Sequence, residues 1–445
     1  MTRIEKTPGE GVFLLKSSKQ LRALFGAGDA GSLLEIARTW SSFNRLDPTQ
    51  YWIVRLWSPG LPLIEIPMVW IEKLGIPIYL TFIAVTLLLW GVVFYLFWRH
   101  FSPTLGRATC ILIGVFTYFS WDFNYFFVEG LFNTEGIAYC LLTISFFGLF
   151  YNTVLLRNGS LRPIVVFGVL FGFAIWVRHT NDVTLVLSSL IFFPLLSYRL
   201  LINGRIKPSK DKKIKKRLLT KENRYFDLKK ICVFLAIAFV VTLPWRIISS
   251  TFFDGVPGTM TSGGGAIATN VWATPESVTG KFWGVYGINW ACKIDKKQCL
   301  QILTGDGGET FSTSQLMTLA VKSALSNPLD YLNERLTFAK VFSNPLSPWI
   351  FNFGDNGGLL NFGFLFLNLF YIRKIPKIER DLIIKIWAPF IAFTILQLMW
   401  IHFEPRYFIP LRIGLLGMLI STLAVYRSTN GIKDPIVSKQ FGINI

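Results

Sequence analysis

Two hydrophobic runs of this chain contain no charged residue, and each is long enough to cross a lipid bilayer as a helix. The runs cover residues 76–98 and 136–156. A helix rises about 1.5 Å per residue, so either run reaches across a hydrocarbon core of roughly 30 Å. The whole chain is 52% hydrophobic and only 16% charged, which is too apolar for a soluble protein of 445 residues. The sequence therefore predicts an all-α polytopic membrane protein.

Seven more apolar stretches raise the expected number of transmembrane helices to about nine or more. They cover residues 108–126, 163–177, 183–201, 231–245, 359–372, 386–401 and 407–426. Two amphipathic segments, 31–40 and 61–74, are too short or too charged to span and are expected to lie flat at the membrane surface. The predicted organisation is an amino-terminal segment with the first outer loop (1–75), a transmembrane core (76–249), a large outer loop (250–356), carboxy-terminal transmembrane helices (357–427) and a tail (428–445).

Lys and Arg collect next to alternate ends of these stretches, which predicts the cytoplasmic side of the membrane. Region 199–230, predicted as a cytoplasmic loop, holds 13 Lys and Arg against three acidic residues. Contact with anionic lipid headgroups explains such a run more simply than nucleic acid, so we expect membrane lipids and no nucleic acid as partners. If the spans alternate, the opposite face carries nearly all the candidate chemistry.

Asp29 is the candidate catalytic residue on that face. It lies among small residues just before the first amphipathic segment. A carboxylate near the membrane surface suits a general base that removes a proton from a hydroxyl nucleophile. The structural alternative is an N-terminal cap for a helix over residues 32–39.

Charged and polar residues also stand where the apolar stretches meet this face, and such residues tend to be functional. An arginine presents a planar fork of donors that matches phosphate oxygens, so the sequence predicts binding of a lipid phosphate. The alternative is internal ion pairs, such as Arg178 with Asp182 or Arg406 with Glu404. The predicted substrate-binding residues are Arg178, His179, Asp182, Arg246, His402, Glu404 and Arg406.

No metal or other cofactor is required by the sequence, although His179 and His402 could ligate a divalent ion together with Asp29 or Glu404. The cysteines do not show zinc-ligand spacing. Cys292 and Cys299 are close in the outer loop, where an oxidising compartment would favour a disulfide. The other three are expected to pack in the core: Cys110, Cys140 and Cys232.

Four short segments follow one another along the chain and share the outer face: Gly28-Asp29-Ala30-Gly31-Ser32-Leu33-Leu34-Glu35-Ile36-Ala37-Arg38, Ser58-Pro59-Gly60-Leu61-Pro62-Leu63, Pro244-Trp245-Arg246 with Gly255 and Ser262-Gly263-Gly264 downstream, and Glu404-Pro405-Arg406-Tyr407. Their order resembles the polytopic GT-C glycosyltransferases, in particular the bacterial relatives of protein O-mannosyltransferases and of the lipid A aminoarabinose transferase. In that family the leading acid of the first outer loop is the catalytic base. Many members carry two adjacent acids where this chain has Asp29-Ala30.

The resemblance implies transfer of a sugar from a polyprenyl-phosphate carrier to a lipid, glycan or protein acceptor. Asp29 would accept the acceptor proton, while Arg406, with Arg178 or Arg246, would stabilise the leaving lipid phosphate. It also implies a bacterial inner (plasma) membrane with the active site facing outward. Two other functions stay open: a transporter or flippase of a lipid-linked or anionic solute, which would need polar residues near mid-span and broken helices, and a noncatalytic assembly subunit.

Overall fold

The structure, a computed structural model, is mostly helical in the residues that it describes, and these residues contain no strand. They are 28–47, 54, 58–120, 134–156, 160–203, 212–252, 260, 325, 328–329, 332–333, 358–400 and 409–430. The helices are α1 (Gly28–Ser41), α2 (Gly60–Glu72), α3 (Ile78–Leu105), α4 (Arg107–Ser120), α5 (Thr134–Phe150), α6 (Arg162–Val177), α7 (Asp182–Asn203), α8 (Lys212–Phe252), α9 (Gly358–Tyr371), α10 (Lys377–Trp400) and α11 (Ile409–Asn430). A π-helical turn, Tyr151–Leu155, extends α5, and a 3-10 turn, His179–Asn181, precedes α7.

Five helices in the described ranges are long and apolar enough to cross a membrane, so the prediction of an all-α membrane protein is confirmed at that level. The five segments are Ile78–Leu105, Thr134–Leu155, His179–Tyr198, Asp227–Phe252 and Ile409–Thr429. Three further apolar helices are shorter, with 14 residues in α4, 16 in α6 and 14 in α9. The first turns of α10 are charged.

Several predicted helix boundaries were wrong, because charged sequence continues the helices where the prediction ended them. The predicted basic loop is helical from Lys212 onward and joins the apolar segment in one 41-residue helix, α8. Lys, Arg, Glu and Leu are good helix formers, and residues 212–243 contain no Gly or Pro. In the same way α3 runs through Arg99 to Leu105, where Gly106 with φ 84° ends it, and α10 begins at Lys377 rather than at residue 386.

Helices α5 and α11 form the centre of the bundle, whereas α3 and α7 lie at its periphery. In the most apolar stretch of each helix, 89% of α5 and 83% of α11 is buried, against 28% of α3 and of α7. Aromatic rings join α5 to its neighbours: Phe146 contacts Phe390 of α10 at 4.6 Å and Phe171 of α6 at 5.1 Å between ring centroids. The peripheral helices leave leucines exposed, for example Leu88 and Leu190, as expected of a surface that faces lipid.

Contacts between helix ends divide the bundle into two ends. At what we call the basic end, Lys230 Nζ donates to the carbonyl of Asn152 at 2.7 Å, and Arg427 donates to the carbonyl of Leu105. At the ion-pair end, carboxylates and arginines of α5 to α8 meet, as described below. Along α8, Lys230 and Arg246 are 16 residues apart, about 24 Å of helix, which approaches the thickness of a hydrocarbon core.

Candidate functional site

Arg178 and Glu135 form a buried ion pair that joins the end of α6 to the first turn of α5. Arg178 Nη1 lies 2.6 Å from Glu135 Oε1, and the two side chains are 9% and 0% exposed. The same nitrogen donates to the Thr134 hydroxyl at 3.0 Å, and that hydroxyl donates to Glu135 Oε2 at 3.2 Å. The guanidinium also lies 5.7 Å from the centre of the Tyr139 ring. These contacts satisfy a charge that would be costly to bury alone.

A second pair, Arg246 with Asp182, joins α8 to the start of α7. Arg246 Nη1 donates to Asp182 Oδ2 at 2.9 Å and Nη2 donates to Oδ1, so the contact is bidentate. Arg246 Nε donates to the Thr242 hydroxyl at 2.8 Å, and the guanidinium lies 5.0 Å from the Phe239 ring centre. A forked guanidinium and a carboxylate match in this geometry, which fixes the relative position of the two helix ends.

The sequence left open an ion pair between Arg178 and Asp182. In the structure these two residues have other partners, Glu135 for Arg178 and Arg246 for Asp182. The turn His179–Asn181 directs Arg178 toward α5 and Asp182 toward α8. His179 lies between Arg178 and Asp182 in the sequence and is half-buried. His402, Glu404 and Arg406 lie outside the described residues, so the suggested pair of Arg406 with Glu404 stays a prediction.

Two tryptophans hold α6 and α8 together next to these pairs. The indole nitrogen of Trp176 donates to the Val241 carbonyl at 2.9 Å, and its ring centre lies 6.2 Å from that of Trp245. Trp245 in turn donates to the carbonyl of Met260 at 2.8 Å. The Pro244-Trp245-Arg246 motif thus contacts Met260 through Trp245 and α7 through Arg246.

Asp29 lies in the first turn of α1, which begins at Gly28. The predicted cap of a helix starting at residue 32 was therefore misplaced, since the helix already includes Asp29. An acidic residue in a first turn is favourable for the helix dipole. The position of the Asp29 side chain is outside the described part of the structure.

Both predicted amphipathic segments form helices, and they pack on each other. The indole nitrogen of Trp70 in α2 donates to the carbonyl of Ser41 in α1 at 3.1 Å, and Arg38 lies 3.3 Å from Glu72. Four apolar residues of α1 are buried: Leu33, Leu34, Ile36 and Ala37. The two helices thus form one packed unit that carries Asp29 in its first turn.

This unit docks on the bundle at the ion-pair end. A β-carbon at Gly60, the first residue of α2, would lie 2.5 Å from the backbone nitrogen of Val177 and closer still to the carbonyl of Trp176. The Ser58 hydroxyl donates to the carbonyl of Ile175 at 3.4 Å. The start of α2 therefore touches the backbone directly before Arg178, and only glycine permits such an approach.

Glu65 of α2 is a buried carboxyl that the sequence reasoning missed. Its side chain is 0% exposed, and neither carboxylate oxygen has a hydrogen-bond partner among the described residues. Burial holds the pKa of this carboxyl well above its ordinary value, and the nearby Arg38 opposes the shift. The signal was present in the sequence, because Glu65 stands four residues after Leu61 and three before Met68, on the buried face of the helix.

Arg412 is a second missed residue. It lies near the start of α11, inside one of the five candidate spans, and its side chain is fully buried. A buried arginine in a membrane span is costly unless it pairs or lines a pathway. The sequence feature that could have identified Arg412 is its position as an isolated arginine within the last apolar stretch, six residues after Arg406.

Cys110, Cys140 and Cys232 are buried and free, as predicted for core residues. Cys292 and Cys299 lie outside the described residues, so their disulfide stays a prediction. Within the described ranges, no three His, Cys, Asp or Glu side chains form a group that could hold a metal ion.

Comparison with models of protein families, with curated proteins and with solved structures found no match to this chain.

Proposed function

We propose that this protein is a membrane glycosyltransferase of the GT-C type, which moves a sugar from a polyprenyl-phosphate carrier to an acceptor. The observation that carries the proposal is the contact of Gly60 with the backbone of Trp176 and Val177. Through this contact the unit that carries Asp29 in its first turn docks at the end of the bundle where Arg178 and Arg246 lie. A base and arginine side chains at one end of a membrane bundle are what a lipid-phosphate sugar transfer requires.

In the proposed reaction Asp29 removes the proton from an acceptor hydroxyl as that oxygen attacks the anomeric carbon. The bond from this carbon to the phosphate oxygen breaks, and the lipid phosphate leaves with the bonding electrons. Arg406 would stabilise the negative charge on the leaving group, since Arg178 and Arg246 already bind carboxylates. The two paired arginines would position the helix ends.

The proposal includes nine membrane crossings, α3 to α11, with the active site on the outer face of a bacterial inner membrane. The contacts at the ends of the helices support this alternation, because α3 and α11 end together at Leu105 and Arg427, and α5 ends beside Lys230 of α8. The excess of Lys and Arg at that end supports a cytoplasmic location for it.

The substitution Asp29→Asn tests the proposed base. We expect at least a 100-fold loss of transfer, because general base catalysis contributes roughly 10² to 10⁴, with unchanged binding of the polyprenyl-phosphate sugar. The measurement is sugar transfer by purified protein given a labelled lipid-linked donor and candidate acceptors. Glu35→Gln, an exposed acid on the same helix, is the matched control and should retain activity. Full transfer by Asp29→Asn would remove Asp29 from the mechanism.

A transporter or flippase is the second candidate, favoured by the buried charges of α5 to α8, since charges inside membrane spans often mark a pathway for solutes. Reconstituted vesicles separate the two functions. Movement of the lipid-linked donor across the bilayer without acceptor, and without any sugar transfer, would support the transporter over the enzyme.

A further inference from the structure

A charged cavity lies between α7, α8 and α10 at the basic end, far from the ion-pair end. Its volume is about 320 Å³, at the lower limit of small-molecule sites, which run from roughly 300 to 1,000 Å³. The charged residues that line it are Asp227, Lys377, Asp381 and Lys385, and apolar side chains such as Leu195 and Leu382 complete the wall. Polar and apolar walls together suit a ligand with a charged head and an apolar body.

Three of these charges repeat every four residues along one face of α10. Lys377, Asp381 and Lys385 follow one another at a rise of about 6 Å per step. Lys385 is the last charge before the apolar remainder of the helix and is half-buried, while Lys377 and Asp381 are exposed. From the apolar part of the helix outward, the charges are therefore the cation of Lys385, the anion of Asp381 and the cation of Lys377.

These three side chains have no hydrogen bond or ion pair with any other residue in the described ranges. Asp381 and Lys385 are spaced as a helical ion pair and still do not contact each other. The charges of these three side chains are thus available to a ligand. Across the cavity, α8 contributes the buried Asp227, which also interacts electrostatically with Lys230.

We propose that this cavity binds the headgroup of a phospholipid that carries a primary amine. The phosphate lies deeper in such a headgroup and would contact Lys385, while the ammonium lies outside it and would contact Asp381. Both contacts are charge-assisted hydrogen bonds, which are stronger than neutral ones. Two lysines and two aspartates make the lining neutral overall, so an anionic headgroup without an amine gains less.

The amine is the chemical group that distinguishes this ligand. A choline headgroup has the same charges but no N–H donor, so it would lose the hydrogen bond to Asp381. A glycerol headgroup keeps the phosphate and brings no cation to the carboxylates. The expected preference is therefore phosphatidylethanolamine over phosphatidylcholine and phosphatidylglycerol.

The test is native mass spectrometry of the full-length protein in detergent with each of these three lipids, matched in acyl chains. We expect phosphatidylethanolamine to bind about tenfold more tightly than either of the others, the equivalent of one charge-assisted hydrogen bond. Lys385→Gln should weaken phosphatidylethanolamine binding about tenfold, and Lys377→Gln, at an exposed position, should weaken it less. Asp381→Asn should abolish the difference between ethanolamine and choline lipids.

Lys374→Gln is the matched control, because it removes one positive charge from the same end of the bundle without lining the cavity. Lys374 instead lies 3.8 Å from the centre of the Phe370 ring. An equal loss of lipid binding in Lys374→Gln and Lys385→Gln, or no loss in Lys385→Gln, would overturn the site. Free phosphoethanolamine that binds as tightly as the lipid would assign the site to a soluble ligand of the same chemistry, and much weaker binding of phosphoethanolamine would assign the site to the lipid.

Discussion

At the scale of single residues, the buried pair of Arg178 with Glu135 and the buried carboxyl of Glu65 differ in whether they have interaction partners. Arg178 and Glu135 neutralise each other, with Thr134 bonded to both. Glu65 is buried to the same extent, yet its oxygens have no partner among the described residues. The first arrangement stabilises the contact between two helices, whereas the second lowers the stability of the fold when the carboxyl is ionised.

The substitution Glu65→Gln should therefore raise stability at neutral pH. The unfolded chain ionises this carboxyl at a pKa of about 4.3, while burial raises its pKa in the folded protein. The wild type is then most stable below the unfolded pKa and loses stability as the pH rises toward the folded pKa. Thermal melting in detergent from pH 4.5 to 8 should show a growing advantage for Glu65→Gln. Glu72→Gln, which removes a half-exposed acid of the same helix, is the control, and parallel curves for Glu65→Gln and wild type would contradict the prediction.

Because Arg178 and Glu135 form a buried ion pair, we expect their substitutions to have strongly non-additive effects on the free energy of unfolding. Arg178→Met leaves a buried carboxylate without its charge partner and should lower the free energy of unfolding by about 3 to 5 kcal/mol. The double variant with Glu135→Gln removes both charges and should recover much of this loss. Denaturant titration of the single and double variants measures the difference. A double variant as unstable as the sum of its single changes would show that the pair is not coupled.

At the scale of helices, glycine decides where neighbours approach closely. Gly168 and Gly172 lie one turn apart on α6, and β-carbons there would lie 2.9 Å from the carbonyl of Phe234 and 3.2 Å from that of Ala238 in α8. Small residues at this spacing commonly bring membrane helices together. Gly60 performs the same function for α2 against α6, and this contact fixes the amino-terminal unit on the bundle.

Gly60→Ala should separate that unit from α6. The added β-carbon meets backbone atoms of Trp176 and Val177 that cannot rotate away, so the free energy of unfolding should fall by about 1 to 3 kcal/mol. Gly91→Ala is the matched control, since a β-carbon there meets nothing within 4 Å and alanine favours a helix by roughly 0.5 to 1 kcal/mol. Thermal melting compares the two, and equal behaviour would exclude the close contact at Gly60.

At the scale of the whole molecule, the contacts at the basic end and at the ion-pair end of the bundle predict a membrane topology. Reporter domains inserted at residues 158 and 206 should lie in the cytoplasm, because the described helices that precede these positions, α5 with its π-helical turn and α7, end at the basic end. Insertions at residues 130 and 180 should lie outside. Alkaline phosphatase and green fluorescent protein fusions give opposite signals on the two sides. The same signal at residues 158 and 180 would show that α6 does not cross the membrane.

The sequence by itself determined the class of the protein and the approximate position of its helices, because apolar length and composition are local properties. It also identified Arg178, Asp182 and Arg246 as unusual, since isolated charges beside apolar runs are visible without a fold. Only the tertiary structure decided their partners: Glu135 is 43 residues from Arg178, and Asp182 is 64 residues from Arg246. It likewise decided that Gly60 touches α6 and that the Glu65 carboxylate, on the apolar face of α2, has no hydrogen-bond partner among the described residues. Pairing depends on which helices pack together, and no local pattern encodes that choice.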